Sequence, residues 1–443
     1  MTRTPLSRRK LLQTAGALTG LAALPHWFVE RTLDAVEIKP PTSPNDKPNV
    51  ALIGCGGRGR TDAHEASKYG NIVAVCDVHD AHASGASLEF NGAKPYNDFR
   101  KVLERDDIPI LINATPDHWH TLVNLAAMRA GKDIYSEKPL TLTIDEGKRV
   151  VETVKKTGRI LQTGTQQRSD SNFRLAAELI RNNRLGKLQA VKVILPAGLK
   201  GGPFPTKPVP NGLDWDFWLG QTPKVDFVTE RSDFRFRYWY EYSAGTMTDW
   251  GAHHNDIVQW ALGMDDSGPV AIEGKPTSDL VPGGYTAYSE YDIHYTYPNG
   301  VTSHVMTTTN DAWTGAQVKK GEGKEHHGIT FIGSDGWLWV TRGSIQASKP
   351  EIIHDPLPGD AVKLYVSNDH KGNFFECVRT RKQPICTAEV GHRSASVCHL
   401  GAISTRLGRP LKWDPQKEQF VGDSEANQWL AREQRKPWTY ESV

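Results

Sequence analysis

The stretch "NVALIGCGGRGRTDAHEASKYGNIVAVCDVH", Asn49 to His79, decides the fold. Val50 to Ile53 is a short apolar run that reads as a buried strand. It meets Gly54-Cys55-Gly56-Gly57-Arg58-Gly59, which fits the spacing G-x-G-x-x-G. A helical segment follows, then a second apolar run, Ile72 to Cys76, closed by Asp77. The glycine spacing alone is weak evidence. Set between a strand and a helix, with an acidic residue about 20 positions on, it is a dinucleotide-binding fingerprint. Gly54, Gly56, Gly57 and Gly59 let the backbone approach a pyrophosphate, and the helix that starts beside Arg58 offers N–H groups and positive potential. Asp77 is placed for the adenosine ribose hydroxyls. Its charge repels a 2′-phosphate, which predicts NAD rather than NADP.

Outward from this unit the pattern repeats. Tyr96-Asn97-Asp98-Phe99 is expected to open a short helix, and Ile110 to Ile112 is a strand that ends at Asn113-Ala114-Thr115-Pro116. A helix from Leu122 to Ala130 leads to a strand, Asp133 to Ser136, that ends at Glu137-Lys138-Pro139. An amphipathic helix, Ile144 to Lys156, leads to a strand at Ile160 that ends at Gly164-Thr165-Gln166. Repeated βα units predict a parallel, doubly wound sheet. Ligands of such sheets sit at the carboxyl ends of the strands. That edge gathers Thr115, Pro116, His118, Glu137, Lys138 and Gln166 as candidate cofactor residues.

After Arg168 the composition changes. "LQAVKVIL" reads as a strand, followed by a Pro/Gly-rich loop from Pro196 to Gly212 and by aromatic-rich segments such as "DFRFRYWYEY". Aromatic faces suit sugar rings, and equally a plain apolar core. "DWGAHHNDIVQWALG" reads as a helix ended by Gly263, on which Asp249, His253, Asp256 and Trp260 share one face. Such a face belongs in water, in a salt-bridge network or in a site. Tyr285 to Tyr297, Gly300 to Thr308, Gly328 to Gly333 and Gly336 to Thr341 alternate as strands. "GNFFECVRTRK", "EVGHRSASVCHLGAISTRLGR" and "NQWLAREQRKPW" return to helix.

"GCGGRGR…CD", "ATPDHWH", "GKDIYSEKPLTLT" and "DWGAHHND" together resemble the Gfo/Idh/MocA family, which includes glucose–fructose oxidoreductase and inositol dehydrogenase. The resemblance implies a Rossmann domain followed by an α/β domain with a large open, mostly antiparallel sheet, one face of which is free for a homo-oligomer, a dimer or tetramer. It implies an NAD(P)-dependent oxidoreductase acting on CH–OH groups of a sugar or polyol. It places Lys138 of E-K-P beside Asp249 and His253, with His253 as acid/base and Asp249 orienting it or holding substrate. A neutral imidazole takes the hydroxyl proton as hydride leaves carbon. His254, Asp256, His392 and Arg393 are candidate substrate residues. A metal at D-x-x-x-H-x-x-D is not expected, because the pattern is not H-E-x-x-H and a neighbouring lysine opposes a cation. Two other readings remain: an NAD-dependent glycosidase of the same superfamily working by transient C3 oxidation and elimination, which the E-K-P lysine counts against, and a non-catalytic nucleotide-retaining binding protein.

The 443 residues suffice for two domains and a tail. A net charge of +2 with scattered Lys and Arg argues against a nucleic-acid partner. Cys55, Cys76, Cys377, Cys386 and Cys398 show no CxxC spacing and predict free thiols. "SRRKLLQTAGALTGLAALP" sets Arg8-Arg9 before an apolar run too short for a stable membrane span, which predicts Tat export to the periplasm. The expected organisation is signal and Pro-rich linker over 1–47, NAD-binding domain over 48–168, substrate and dimerisation domain over 169–385, and C-terminal helices and tail packing back on the cleft over 386–443.

Overall fold

In this computed structural model the described residues are 24–33, 40–41, 43–308 and 327–442. Arg8, Arg9 and most of the apolar run lie outside them. Six strands, β1 (Asn49–Ile53), β2 (Asn71–Cys76), β3 (Lys94–Tyr96), β4 (Ile110–Asn113), β5 (Asp133–Ser136) and β6 (Leu161–Thr163), form a parallel sheet in the order β3-β2-β1-β4-β5-β6. That is the order of dinucleotide-binding sheets. Val50 to Leu52 and Ile110 to Ile112 are fully buried, because helices cover both faces. This is why these strands read as unbroken apolar runs rather than alternating ones.

The second sheet has nine strands: β7 (Leu188–Pro196), β8 (Ala271–Pro276), β9 (Tyr291–Thr296), β10 (Thr302–Thr308), β11 (Gly328–Gly333), β12 (Gly336–Thr341), β13 (Ser344–Ala347), β14 (Leu411–Asp414) and β15 (Gln419–Phe420). Only β7 and β10 pair in parallel; the other pairs are antiparallel. Val191, Val193, Ile293, Tyr295 and Val305 point into a core shared with the helices Ser171–Arg181, Thr246–Leu262 and Ala388–Leu407. The intervening positions face the other way. No described helix is long and apolar enough to cross a membrane.

Several sequence expectations change. Residues 1–47 read as signal and linker, yet His26–Leu33 is a helix whose Phe28 is fully buried in the second core. The Arg174 guanidinium lies 4.1 Å from the Phe28 ring centroid and donates to Thr32 Oγ1. Burying a Phe side chain stabilises by about 1.5–3 kcal/mol, which a short isolated helix could not gain. Lys94–Tyr96 is an edge strand, and the helix expected at Tyr96 starts at Phe99 with Asp98 as its cap. The strand expected from Tyr285 begins only at Tyr291.

The C-terminal part is more than helices and a tail, although Trp438 in the tail does pack behind the cavity wall on Phe217 and Trp119. Ala388–Leu407 is interior, while β14 and β15 extend the nine-stranded sheet through β8. "NQWLAREQRKPW" is helical only to Gln428. Beyond it, Arg435 bonds Thr222 O and Asp216, and Trp438 stacks on Phe217 with ring centroids 4.7 Å apart. These contacts outweigh weak helical propensity. The helix His370–Thr380 lies far along the chain from the first domain, yet it buries Phe374 and Phe375 beside Val50 and Leu52.

Candidate active site

A cavity of about 1180 Å³ runs along the carboxyl edge of the first sheet and is closed on its other side by the second domain. Gly54, Gly56, Gly57, Arg58 and Gly59 line one end, and Asp77 closes the β2 side. The glycines divide by job. A Cβ on Gly54, whose φ is +89°, would stand 2.5 Å from Ala114 O, and one on Gly59 would stand 1.9 Å from Gly54 O. Those two serve the close strand–helix approach. A Cβ on Gly56 or Gly57 meets nothing within 4 Å. These two leave open the space over the start of the Gly57–Ala66 helix, whose N-cap, Gly56, has no side-chain cap. Bare N–H groups under open space fit a pyrophosphate. Asp77 is pinned by N–H donors, Cys55 to Oδ2 at 2.8 Å and His79 to Oδ1 at 2.9 Å.

Thr115, Pro116, Glu137, Lys138 and Gln166 line the middle of the cavity as the strand-end argument predicts. From the second domain, the Thr246–Leu262 helix adds Asp249 and His253. The Lys138 ammonium donates to Asp249 Oδ1 and, at 3.1 Å, to Asp249 O. Arg237 Nε lies 3.6 Å from the same carboxylate oxygen. Burial pushes the Asp249 carboxyl up, but Lys138 and then Arg237 outweigh it and hold the pKa below the usual carboxylate range. His253 is driven well below an ordinary imidazole, first by burial and then by the charges of Lys138 and Arg342. It is therefore neutral at pH 7. Its buried Nδ1 has no hydrogen-bond partner in the structure.

Beneath Lys138 lies a buried ionic network. Glu137 Oε1 accepts from Arg58 Nε at 3.0 Å and from Gln166 Nε2 at 2.9 Å. Burial opposes the Glu137 charge, but Arg58, Lys371 and Lys138 keep its carboxyl below the ordinary range. Asp62, inside the glycine-loop helix, takes Arg58 at 2.7 Å and Lys371 at 2.5 Å. The arrangement fixes Arg58 at the mouth of the loop and steadies the strand end that carries Lys138.

The chain matches the pattern described as "Oxidoreductase family, NAD-binding Rossmann fold" over residues 48–165, and that described as "Oxidoreductase family, C-terminal alpha/beta domain" over residues 200–440. It belongs to the Gfo/Idh/MocA oxidoreductase family. The first domain is therefore an NAD-binding Rossmann domain, and the enzyme class is the family's NAD-dependent oxidoreductases. The scyllo-inositol 2-dehydrogenase (NAD(+)) of Bacillus subtilis (strain 168) is 26% identical over 344 residues, covering 77% of this chain and 89% of that protein. A glycosyl hydrolase family 109 protein of Shewanella baltica is 30% identical over 172 residues, covering 34% of this chain and 38% of that one. The aldose-aldose oxidoreductase from Caulobacter crescentus, crystallised with glycerol, shares the fold with a TM-score of 0.61 at 17% identity, over 83% of this chain and 99% of that one.

Within this Gfo/Idh/MocA framework five sequence candidates stand off the cavity wall. His118 was expected at the cofactor, but its ring is turned under the wall, with Nε2 2.9 Å from Trp218 O, and burial lowers its pKa to about 3. Its neighbours Asp117, Trp119 and His120 line the cavity instead, because successive helix positions point about 100° apart. His254 faces Gln167 and His327 behind the wall. Asp256 shares the Asp249 face but sits two turns deeper, fully buried against Arg168, whose Nε is 3.0 and 2.9 Å from its two oxygens. Arg168 also bonds Asp265 and packs on Trp260. His392 pairs with Glu418 at 2.5 Å, and Arg393 with Glu389 and Pro415 O. None of these four is placed to touch substrate.

The structure adds residues that the motifs did not reveal. Arg237 and Tyr238, from the aromatic-rich segment, and Trp250 line the substrate side. Arg342 comes from the turn between β12 and β13 and lies 4.6 Å over the Trp250 ring. With the Gln167 amide turned so that its oxygen faces Arg342, that amide also donates to His253 O at 2.9 Å. Aromatic density flagged the first segment. Nothing local marks Arg342, because only sheet closure carries it to the cleft.

Proposed function

We propose that the protein is an exported oxidoreductase that oxidises a secondary alcohol of a sugar or polyol and returns the hydride without releasing its nucleotide. The convergence of Lys138, Asp249 and His253 on one wall of the glycine-loop cavity carries this reading. Bound NAD supplies the hydride acceptor and, once reduced, the donor. The neutral His253 imidazole takes the hydroxyl proton as the C–H hydride departs. Lys138 stabilises negative charge building on that oxygen, and Asp249 holds the ammonium in place. Arg237, Arg342 and Trp250 supply a polar and aromatic wall for a polyhydroxylated ring. The relatives named for scyllo-inositol and aldose chemistry support this substrate class.

Export rests on Arg8-Arg9 before the apolar run. A Tat route carries folded protein, so nucleotide is loaded inside and must be recycled where free NAD is scarce. Copies are expected to associate as a homo-oligomer, a dimer or tetramer. The test is release of nucleotide on denaturing the purified protein, together with turnover on a sugar panel without added NAD. Empty protein that turns over only with excess NAD refutes recycling. The similarity to a glycosyl hydrolase family 109 protein favours a second reading, in which oxidation is transient and a glycosidic bond breaks. Leaving-group release from an aryl glycoside, without net redox change, would select that reading.

A further inference from the structure

The outer face of the second sheet carries a cluster that the reaction does not use. Asp292 and His294 are two apart on β9 and so share a face. His304 on β10 stands directly opposite His294 in the antiparallel register. Asp292 Oδ1 lies 2.9 Å from Nε2 of His294 and 2.9 Å from Nε2 of His304. The two imidazoles are parallel, with centroids 4.0 Å apart and 14° between planes. One nitrogen from each ring and one carboxylate oxygen all fall within 4.8 Å of one another.

We propose that Asp292, His294 and His304 form a binding site for a borderline transition-metal dication, with Zn²⁺ as the type ion and one coordination position left to water. Tetrahedral Zn²⁺ has bonds of about 2.0–2.2 Å to imidazole nitrogen and carboxylate oxygen, which sets donor atoms about 3.3 Å apart. The two carboxylate–imidazole spacings of 2.9 Å must widen by about 0.4 Å, and the stacked rings must turn so that their nitrogens converge on the ion. The register places two imidazoles on adjacent strands, where opposed side chains stand close.

The donor set, rather than the surrounding charge, selects the ion. Lys192 neighbours His304 on β7, and Glu273 neighbours His294 on β8. Lys275, opposite Asp292, is occupied by Glu273 with Nζ 2.8 Å from Oε1. One carboxylate donor, that of Asp292, does not hold Mg²⁺ or Ca²⁺, which require several oxygen ligands. Two imidazoles favour Zn²⁺, Ni²⁺ or Cu²⁺.

The test uses the full chain without an affinity tag, stripped with chelator and dialysed against micromolar ZnCl₂. Metal per chain is read by elemental mass spectrometry, and the unfolding midpoint is followed with and without zinc. The wild type should retain a single zinc ion per chain more than His294→Ala or His304→Ala, and only the wild type should gain in midpoint. Millimolar MgCl₂ should not displace the ion. Turnover of the variants should match wild type, since these residues stand outside the cavity. Asp292→Asn keeps the shape of the site and should also lose the ion, which covers the case of a poorly folding alanine variant. Equal zinc content in wild type and variants, or displacement by Mg²⁺, overturns the proposal.

Discussion

Replacing Asp256 by Asn separates a structural role from a substrate role at one residue. Asp256 shares a helical face with Asp249 and His253, so a substrate role predicts a raised KM and unchanged stability. The structure predicts the reverse. Its carboxylate is fully buried, takes both Arg168 Nε contacts at 2.9–3.0 Å, and accepts from Ser394 Oγ at 2.7 Å. Burial opposes both charges: Arg168 only partly offsets it at Asp256, whose carboxyl stays above its ordinary range, while Asp256 and then Asp265 outweigh it at Arg168 and raise the guanidinium pKa. Removing one partner of a buried pair costs about 3–5 kcal/mol, because the other charge stays buried. Asn keeps one acceptor, and Asp265 still holds Arg168 Nη2 at 2.7 Å, so about 3 kcal/mol is expected for Asn and about 5 kcal/mol for Ala. Adding Arg168→Met to Asp256→Asn should recover part of the loss, since no uncompensated cation remains. Equilibrium guanidinium unfolding measures the loss, and KM on the folded fraction measures the site. An unchanged unfolding midpoint with a tenfold higher KM would show that the buried-pair reasoning is wrong.

Gly57→Val should leave unfolding unchanged but abolish nucleotide retention, because its Cβ meets only the open space above the loop. Gly59→Ala should destabilise the fold, since its Cβ would stand 1.9 Å from Gly54 O; the opposite ranking, by calorimetry and nucleotide content, refutes the division between the two glycines. His253→Ala and Lys138→Ala should each lower turnover by roughly 10²–10⁴-fold with NAD still bound, and near-normal turnover removes the assigned role. Because His253 lies well below 6.5, kcat/KM for alcohol oxidation should stay flat as pH falls through that value. Lys138→Met should move the acid limb upward, as loss of a neighbouring cation favours the imidazolium; an acid limb at 6.5 in wild type refutes the neutral-base assignment. Acid should also weaken the fold. Burial holds His118 and His370 at about 3 and His399 at about 4, against 6.5 when unfolded. The unfolded chain binds more protons below 6.5, so stability falls with pH until those lower values are reached. Together the three groups should lose roughly 4 kcal/mol between about pH 7.5 and 5.5; a flat unfolding midpoint across that window contradicts it.

Local chemistry made the first domain legible. Gly54 to Asp77 fixes a strand, a tight turn, a helix start and a second strand within one segment, each with its own residue signature. The cofactor residues at the strand ends followed from the parallel topology, which puts every βα turn on one edge. The pairing of Lys138 with Asp249 also followed, though only through the family resemblance, since no local rule joins residues so far apart in the chain. Spacing on a helix gave the shared face of Asp249, His253 and Asp256 but not its depth. Whether a polar helix face meets a cavity or a buried arginine depends on what packs against it, and Arg168 arrives from the other domain. His118 failed for the same reason: a strand-end helix offers adjacent residues to different neighbours. Phe28 in the second core, the sheet strands at residues 411–420 and Arg342 at the cleft are long-range outcomes, set by which apolar faces and sheet edges remained to be covered. Sequence determined the dinucleotide-binding unit because its constraints lie within a few turns of chain. Tertiary structure decided which polar groups meet substrate, because burial and charge pairing are properties of packed neighbours.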